Sequence, residues 1–496
     1  MSAGTASGGA DGAAGTLRAS MGIVSWGWYL PRFRMDRREL GALLGSGGGR
    51  GTRAVASYDE DTVTMGVEAA RRALSPPPGP GAPHPGAPDP GAAGVASVWF
   101  ATTRPPYLDK SNASAIASAC NLPPSMGAYD VAGSIRSGMG AIRAAATDAV
   151  GGLAVLSDLR MGRPGSADES RGGDGAAAFV FGPDPAAELL AHASTTAEFL
   201  DRWRLEGDVG ARSWDERWSA DQYAPLVERV VGDALKSAGL TADDIDHAVV
   251  SCSLERVGRQ IAASLPSRTE VFDPSPAVGY LGAADVGLQL AAALERARPG
   301  QHILVVLGAD GADALVLRAT ERIVARQAGH RPEQASGRAV DPVTYLTWRG
   351  ILDREPPRRP DPEAPASPAS ARNEHWKFGF VGSRCLHCGT RHLPPQRVCM
   401  SCGVADHMAP DPVDALRATV RNLTVDHLAY SPAPPVVVGV LDFDGGGRYR
   451  CQLTDVVPGD VSLGSRVEMV FRIVSVAPNG VRNYFWKARP VQEEEL

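Results

Sequence analysis

Four cysteines near the C-terminus, Cys385-x2-Cys388-x10-Cys399-x2-Cys402, constrain this chain more than any other feature. Each Cys-x-x-Cys presents two thiolates on one turn, and two such knuckles facing each other complete a tetrahedral S4 site for Zn2+. Four thiolates leave no position open for substrate or water. The metal is therefore expected to be structural, holding together a module too small to stabilise itself. A catalytic zinc or a redox dithiol fits the spacing less well. His387 and His392 lie nearby, but four sulfurs suffice, so both are expected to face solvent. Seven cysteines in all, four of them in these pairs, suit a reducing, cytoplasmic compartment better than a disulfide framework.

A length of 496 residues suggests two or three folding units. The net charge of −6 gives no general electrostatic case for nucleic-acid binding. No apolar run approaches the ~18–20 residues of a membrane span, and residues 1–20 show neither a hydrophobic signal region nor apolar periodicity. They are expected to form a disordered tail. Prolines and glycines cluster at 75–94, which is expected to be a surface insertion, and at 351–375, where the composition changes and a linker is expected. Between the tail and the linker lies a large unit at 21–350, which contains the insertion and has halves near 21–185 and 186–350. A small unit follows, with the cysteines at 376–410 and a β-rich part at 411–490.

The large unit alternates strand and helix signals, which argues for an α/β layered domain. Its pattern recurs. "YDVAGSIRSGMGAIRAAATDAVGGLAVLSD" and "FDPSPAVGYLGAADVGLQLAAALERARPGQHILVVLGAD" both run from an aromatic–Asp pair through a Gly/Ser-rich turn and a small-residue helix to an apolar strand. Their Asp130 and Asp273 lie 143 positions apart, as a duplicated unit would place them. Helices this rich in Gly and Ala suit burial between two sheets. In the small unit, five short β-rich runs separated by turn residues predict a small barrel.

The segments "GIVSWGWYLPRFRM" (22–35), "AVASYDEDTVTMGVEAARRAL" (54–74), "GDGAAAFVFG" (173–182), "EFLDRWRLEGD" (198–208), "ALKSAGLTADDIDHAVV" (234–250) and "AVDPVTYLTWRG" (339–350) resemble the thiolase superfamily. Within it they are similar to the 3-hydroxy-3-methylglutaryl-CoA synthase-like branch, close to ketoacyl synthase III. Residues 376–490 resemble the domain that pairs a rubredoxin-like zinc ribbon with an OB-fold. The resemblance implies a five-layered αβαβα fold with duplicated halves, a homodimer, and an acyl-CoA or acyl-carrier thioester as ligand. It also implies a Cys thiolate at a buried helix start as nucleophile, with a His and a Glu moving protons.

Carried over residue by residue, these roles meet the wrong side chains. The nucleophile segment spans Asp130 to Gly138 and puts Ile135 where the Cys belongs. The Glu position falls on Thr103, the His position on Cys252, and the family's Asn on Val278. A conventional condensation through an acyl-cysteine is therefore not expected. The scaffold persists in "GDGAAA", in Gly308-Ala309-Asp310-Gly311 and in the helix start at Ser134–Gly138, whose N–H groups can polarise a thioester carbonyl.

Ser134 and Ser137 flank the vacant position, either as nucleophiles or as caps. Cys252 is either an acyl-binding thiol or a small buried hydrophobe. Arg136 and Gly138 are candidates for contact with coenzyme A, with an interface role for Arg136 as the alternative. Cys120 and Cys451 are expected to be packing residues, and Asp130 and Asp273 paired turn residues. In the β-rich part, Arg417, Arg421, Arg448 and Arg450 accompany Tyr449, Tyr484 and Trp486. The many Asp among them make a nucleic-acid groove the weaker expectation; help in acyl-CoA binding is the stronger one.

Three functions fit. An acyltransferase would pass an acyl group from a CoA thioester directly to an external nucleophile, in a biosynthetic, secondary-metabolic setting. A catalytically degenerate subunit would support a separate active thiolase-like protein. An acyl-CoA-binding regulator would do no chemistry.

Overall fold

The computed structural model describes residues 21–46, 49–75, 94–148, 150–327, 337–355, 364–429 and 431–491. The expected tail and nearly all of the 75–94 insertion lie outside the described residues. So does 356–363 of the expected linker, which otherwise carries two short helices, Ser367–Arg372 and Glu374–Lys377.

Ten strands form one sheet. In chain order they are β1 (Met21–Tyr29), β2 (Ser97–Thr102), β3 (Gly127–Ala132), β4 (Gly152–Leu159), β5 (Asp174–Pro183), β6 (Ala187–Thr195), β7 (His247–Cys252), β8 (Glu270–Phe272), β9 (His302–Gly308) and β10 (Ala312–Ala319). Their order, β3-β2-β4-β5-β1 followed by β6-β10-β9-β7-β8, is a mirrored pair of five-stranded halves. The halves join where β1 meets β6 at Gly22↔Glu188 and Ile23↔Ala187. Each half runs parallel at its outer edge and antiparallel toward the join. The duplication read from Asp130 and Asp273 is thus visible: Asp130 lies in one edge strand, and Asp273 directly follows the other.

Four helices complete the layers: α1 (Thr62–Leu74), α2 (Ser137–Thr147), α3 (Glu216–Ala238) and α4 (Asp285–Arg296). The first lies outside β1, β5 and β4, and α3 lies outside β6 and β10. Between the halves, α2 contacts β2 and β4 while α4 contacts β7, β9 and β5, giving the five-layered αβαβα thiolase-like fold. Central helices must approach closely, and Gly138 permits it. A Cβ there would sit 2.2 Å from the carbonyl oxygen of Ala283. Gly138, proposed for coenzyme A contact, is held by this packing.

The C-terminal strands β11 (Ala418–Asp426), β12 (Val436–Phe443), β13 (Arg448–Leu453), β14 (Arg466–Val476) and β15 (Arg482–Pro490) close into the OB-fold barrel. Burial alternates strictly along β12, as a strand with one face toward the core requires. The barrel core is continuous with the α/β core: Val420, Phe471 and Trp486 belong to the same cluster as Phe100 and Val67.

Charge is buried at that junction. Lys487 Nζ donates to Asp59 Oδ2 at 2.8 Å, and Thr454 Oγ1 donates to the same oxygen at 2.8 Å. Arg472 reaches Glu60 at 3.1 Å and Tyr29 Oη at 3.0 Å. Tyr29 in turn donates to Glu60. Burial opposes ionisation of Asp59, but Lys487 and then Arg472 outweigh it and hold the carboxyl below its usual range. Removing one partner of such a pair strands the other charge, at a cost of about 3–5 kcal/mol. Lys487→Met should therefore lower the urea-unfolding midpoint sharply, and Asp59→Asn in that background should recover a large part of the loss. Equal midpoints for wild type and Lys487→Met would refute this account of the junction.

Candidate functional site

The strand β3 ends in a turn that sets up the tip of α2. Gly133 adopts φ +117°, open to glycine and strained for other residues. Ser134 Oγ accepts the Arg136 N–H at 3.1 Å, and the N–H groups of Ser137 and Gly138 bond back to the carbonyls of Ser134 and Ile135. Ser134 therefore serves the helix start. The N–H groups of Ser134 and Ile135 at this tip have no hydrogen-bond acceptor among the described residues. Asp130 is a turn anchor: its carboxylate accepts from Ala113 N at 2.8 Å and Asn112 N at 2.9 Å. Asp273 accepts Ser275 N at 3.0 Å.

Ile135 opens onto a cavity of about 110 Å3, roomy for a small organic group given that one water needs roughly 10–15 Å3. Thr103, Ser134, Ile135 and Asp310, which the sequence grouped, do meet on its wall, joined by Asp201 and Tyr223. Thr103 donates its hydroxyl to the buried carboxylate of Asp158 at 2.8 Å. Asp158 also accepts the Ala283 N–H at 2.9 Å. Thr103 is thus a locked hydroxyl.

Asp310 and Gly311 form a strained turn, with φ +49° and +117°. Its backbone is clamped from both sides. The Asp310 N–H donates to Tyr223 Oη at 3.1 Å, and Arg136 Nη1 donates to the Asp310 carbonyl at 2.6 Å. Arg136 also bonds Asp313 Oδ2 at 2.8 Å and Ser194 Oγ at 3.0 Å. This arginine, a candidate for a coenzyme A phosphate, does not line the cavity; it is occupied pinning the two halves together.

Cys252 is likewise off the wall. It packs with Ala220, Tyr223 and Val257, and burial pushes its thiol up to about 12, so no thiolate forms near neutrality. Its neighbour Ser253 faces the cavity instead. Cys120 and Cys451 are also raised by burial, each to about 12.

The pair that sequence reasoning missed is Asp201 and Tyr223. Tyr223 Oη donates to Asp201 Oδ2 at 3.0 Å. Burial raises Asp201, with Tyr223 opposing it by hydrogen bonding, so the carboxyl titrates nearer neutrality than a free one. Asp201 lies in the quoted segment 198–208, whereas Tyr223 sits on α3 with no motif around it. Only the fold brings them together.

In the ribbon, strands Val381–Cys385, Arg391–His392 and Met408–Pro412 carry two like knuckles. Gly389 and Gly403, each with positive φ, donate to the carbonyls of Cys385 and Cys399 at 2.9 Å. The four Sγ atoms lie within 4.8 Å of one another, with Cys388–Cys399 at 3.5 Å and Cys385–Cys402 at 3.7 Å. A tetrahedron with Zn–S bonds near 2.3 Å has edges of about 3.8 Å, so the donor set fits a structural zinc. His387 is exposed as expected, but His392 is not: it is buried, because its strand pairs with Ser383. In the barrel, Tyr484 and Trp486 are core residues, and Arg421 and Arg448 both pair with Asp442. No helix among the described residues is long and apolar enough to cross a membrane.

Residues 379–407 match a family described as the ChsH2 rubredoxin-like zinc ribbon domain, and residues 413–472 the ChsH2 C-terminal OB-fold domain. The rest is similar to the hydroxymethylglutaryl-CoA synthase of Methanopyrus kandleri, 32% identical over 321 residues, which covers 61% of this chain and 89% of that protein. The chain belongs to the hydroxymethylglutaryl-CoA synthase family. The synthase of Methanothermobacter thermautotrophicus is 31% identical, covering 67% of this chain and 99% of its own. Among solved structures, MvaS in complex with 3-hydroxy-3-methylglutaryl coenzyme A shares the fold at a TM-score of 0.56 and 19% identity, over 71% of this chain and 96% of that one. An HMG-CoA synthase complexed with CoA superposes at 0.56 with 15% identity, over 66% and 90%. These relatives are named hydroxymethylglutaryl-CoA synthases, and this chain carries their scaffold with Ile135 at the tip of α2.

Purified protein should hold one zinc per chain by elemental analysis. The double substitution Cys388→Ser and Cys399→Ser should abolish it and destabilise the ribbon. Full zinc content in that variant would place the metal elsewhere.

Proposed function

We propose that this protein binds an acyl-CoA thioester in the cavity at the tip of α2 and transfers the acyl group directly to an external nucleophile, without an acyl-cysteine. The observation that carries this is Ile135 itself. Its side chain cannot attack a thioester, yet its backbone N–H is unspent at a cavity whose wall includes the Asp201–Tyr223 pair. The acceptor is an amine, sulfide, water or activated aromatic carbon. Its nucleophilic atom forms a bond to the thioester carbon and gives its proton to the Asp201 carboxylate. The oxyanion takes its hydrogen bond from the Ile135 N–H. Collapse breaks the C–S bond, and the departing thiolate leaves as CoA after taking the proton back from Asp201. Tyr223 holds Asp201 in place throughout.

Zinc has no step in this chemistry; its four thiolates would hold the ribbon against the barrel. The protein is taken to act in the cytoplasm as a homodimer. A second possibility is a degenerate subunit that supports a separate active thiolase-like protein, favoured by the locking of Thr103 onto Asp158 and the burial of Cys252.

Free CoA release from a panel of acyl-CoAs, with and without amine and thiol acceptors, tests the proposal. Activity should rise with pH as Asp201 loses its proton. Asp201→Asn should lower kcat about 100-fold or more, the usual scale of a lost general base, with KM for the thioester little changed. A folded protein that releases no CoA across the panel, but co-purifies with an active thiolase-like partner, would replace this proposal with the second.

Binding can be tested apart from turnover. Ile135→Cys restores a sulfur at the helix tip but neither proton carrier, so mass spectrometry should find a slowly resolved acyl adduct. The absence of any adduct across the same panel would count against a thioester in this cavity.

A further inference from the structure

The barrel reaches toward the cavity wall. Its strand β15 begins at Arg482, which grips a loop of the α/β domain. The Arg482 N–H donates to Tyr107 Oη at 2.8 Å, and its Nη1 donates to the Pro106 carbonyl at 2.8 Å. The guanidinium also lies 5.5 Å from the centre of the Tyr107 ring. Just upstream on the same loop, Thr103 and Arg104 line the cavity. Between the wall and the grip stand Pro105 and Pro106. Each ring fixes its own φ and narrows the choices of the residue before it. A displacement at Pro106 therefore passes to Arg104 with little absorbed on the way. Neither proline has an N–H, so a hydrogen bond can hold Pro106 only by its carbonyl, the atom that Arg482 takes.

The two ends of the loop are tied within the α/β domain. At the wall, Thr62 Oγ1 donates to the Arg104 carbonyl at 3.0 Å, and Arg204 donates to the Thr103 carbonyl at 2.6 Å. Past the prolines, Asn112 Oδ1 accepts the Tyr107 N–H at 3.2 Å, and Asn112 Nδ2 donates to the Tyr107 carbonyl at 2.9 Å. The middle is different. Among the described residues, the Pro106 carbonyl and the Tyr107 hydroxyl take their hydrogen bonds from Arg482 alone. Docking of the barrel does not need this grip, because Asp59, Glu60, Lys487 and Arg472 already secure it. Arg482, 28% exposed, meets Asp61 at 3.4 Å, a partly solvated pair of modest worth.

We infer that the barrel is part of the cavity's construction: Arg482 is a positioning residue that holds the Pro105–Tyr107 strut and, through it, the Thr103–Arg104 stretch of the wall. Its effect on acyl transfer rests on the thioester binding proposed above; its effect on the loop does not. Hydrogen–deuterium exchange of the full chain, read by mass spectrometry on the peptide spanning 103–112, separates the two. The bonded amides there include those of Arg104, on Thr102 Oγ1 at 3.0 Å, and Tyr107.

In Arg482→Met this peptide should exchange about tenfold faster, the scale of one lost hydrogen bond to a charged group. Peptides from β14 and the urea-unfolding midpoint should stay at wild-type values. Arg482→Lys keeps the charge without the planar fork, so its exchange should fall between the two. In the CoA-release assay, KM for the thioester should rise about tenfold in Arg482→Met while kcat stays within about twofold, since Asp201 and the Ile135 N–H are untouched. Unchanged exchange in Arg482→Met would overturn the inference. So would a midpoint loss as large as that of Lys487→Met, which would make Arg482 an anchor of the barrel, and so would faster exchange with KM unchanged. Faster exchange in a protein that releases CoA from no thioester would keep the strut and discard the thioester proposal.

Discussion

Three consecutive carboxylates, Asp59, Glu60 and Asp61, hold the two parts of this molecule in one body. Asp61 caps α1 by accepting from Val63 and Thr64 N–H, both at 3.0 Å, and accepts Tyr484 Oη from the barrel at 2.6 Å. Asp59 takes Lys487, and Glu60 takes Arg472. Desolvating five such charged groups is unfavourable, and a bare apolar contact of equal area would cost less to assemble. What the charges add is register. A barrel rotated or shifted by one residue would leave several buried ions unpaired, so the ionic contact fixes one docking geometry where an apolar one would tolerate many.

A second constraint runs through the α/β domain. Asp174, in the "GDGAAA" segment, accepts the backbone N–H groups of Ala56 and Arg160 at 2.8 and 3.0 Å, and it pairs with Arg349. Arg53 bonds the Arg160 carbonyl at 2.8 Å and Tyr345 Oη at 2.9 Å. Three of the segments that carry the family likeness, 54–74, 173–182 and 339–350, therefore converge on the loop that presents Arg160 to the cavity. Their retention follows from scaffold architecture, and it requires no acyl-cysteine. Arg136 does the same for the opposite wall, tying the α2 tip to the Asp310 turn.

The zinc knuckles, the five barrel strands and the duplicated α/β halves were legible in the sequence because each rests on local spacing or on a repeat. Ile135 was picked out by its fixed distance from Asp130, and the structure places it on the cavity wall. The roles of Arg136 and Cys252 were not. An arginine beside a helix tip reads the same whether it meets a phosphate or, as here, Asp313 on the far half of the sheet. Cys252 ends its strand one residue short of the cavity, and strand alternation sends Ser253 there instead. Asp201 and Tyr223 are 22 residues apart on different elements, so no spacing rule links them. His392 was misread because four sulfurs account for the metal but say nothing about where the adjoining strand turns its side chains.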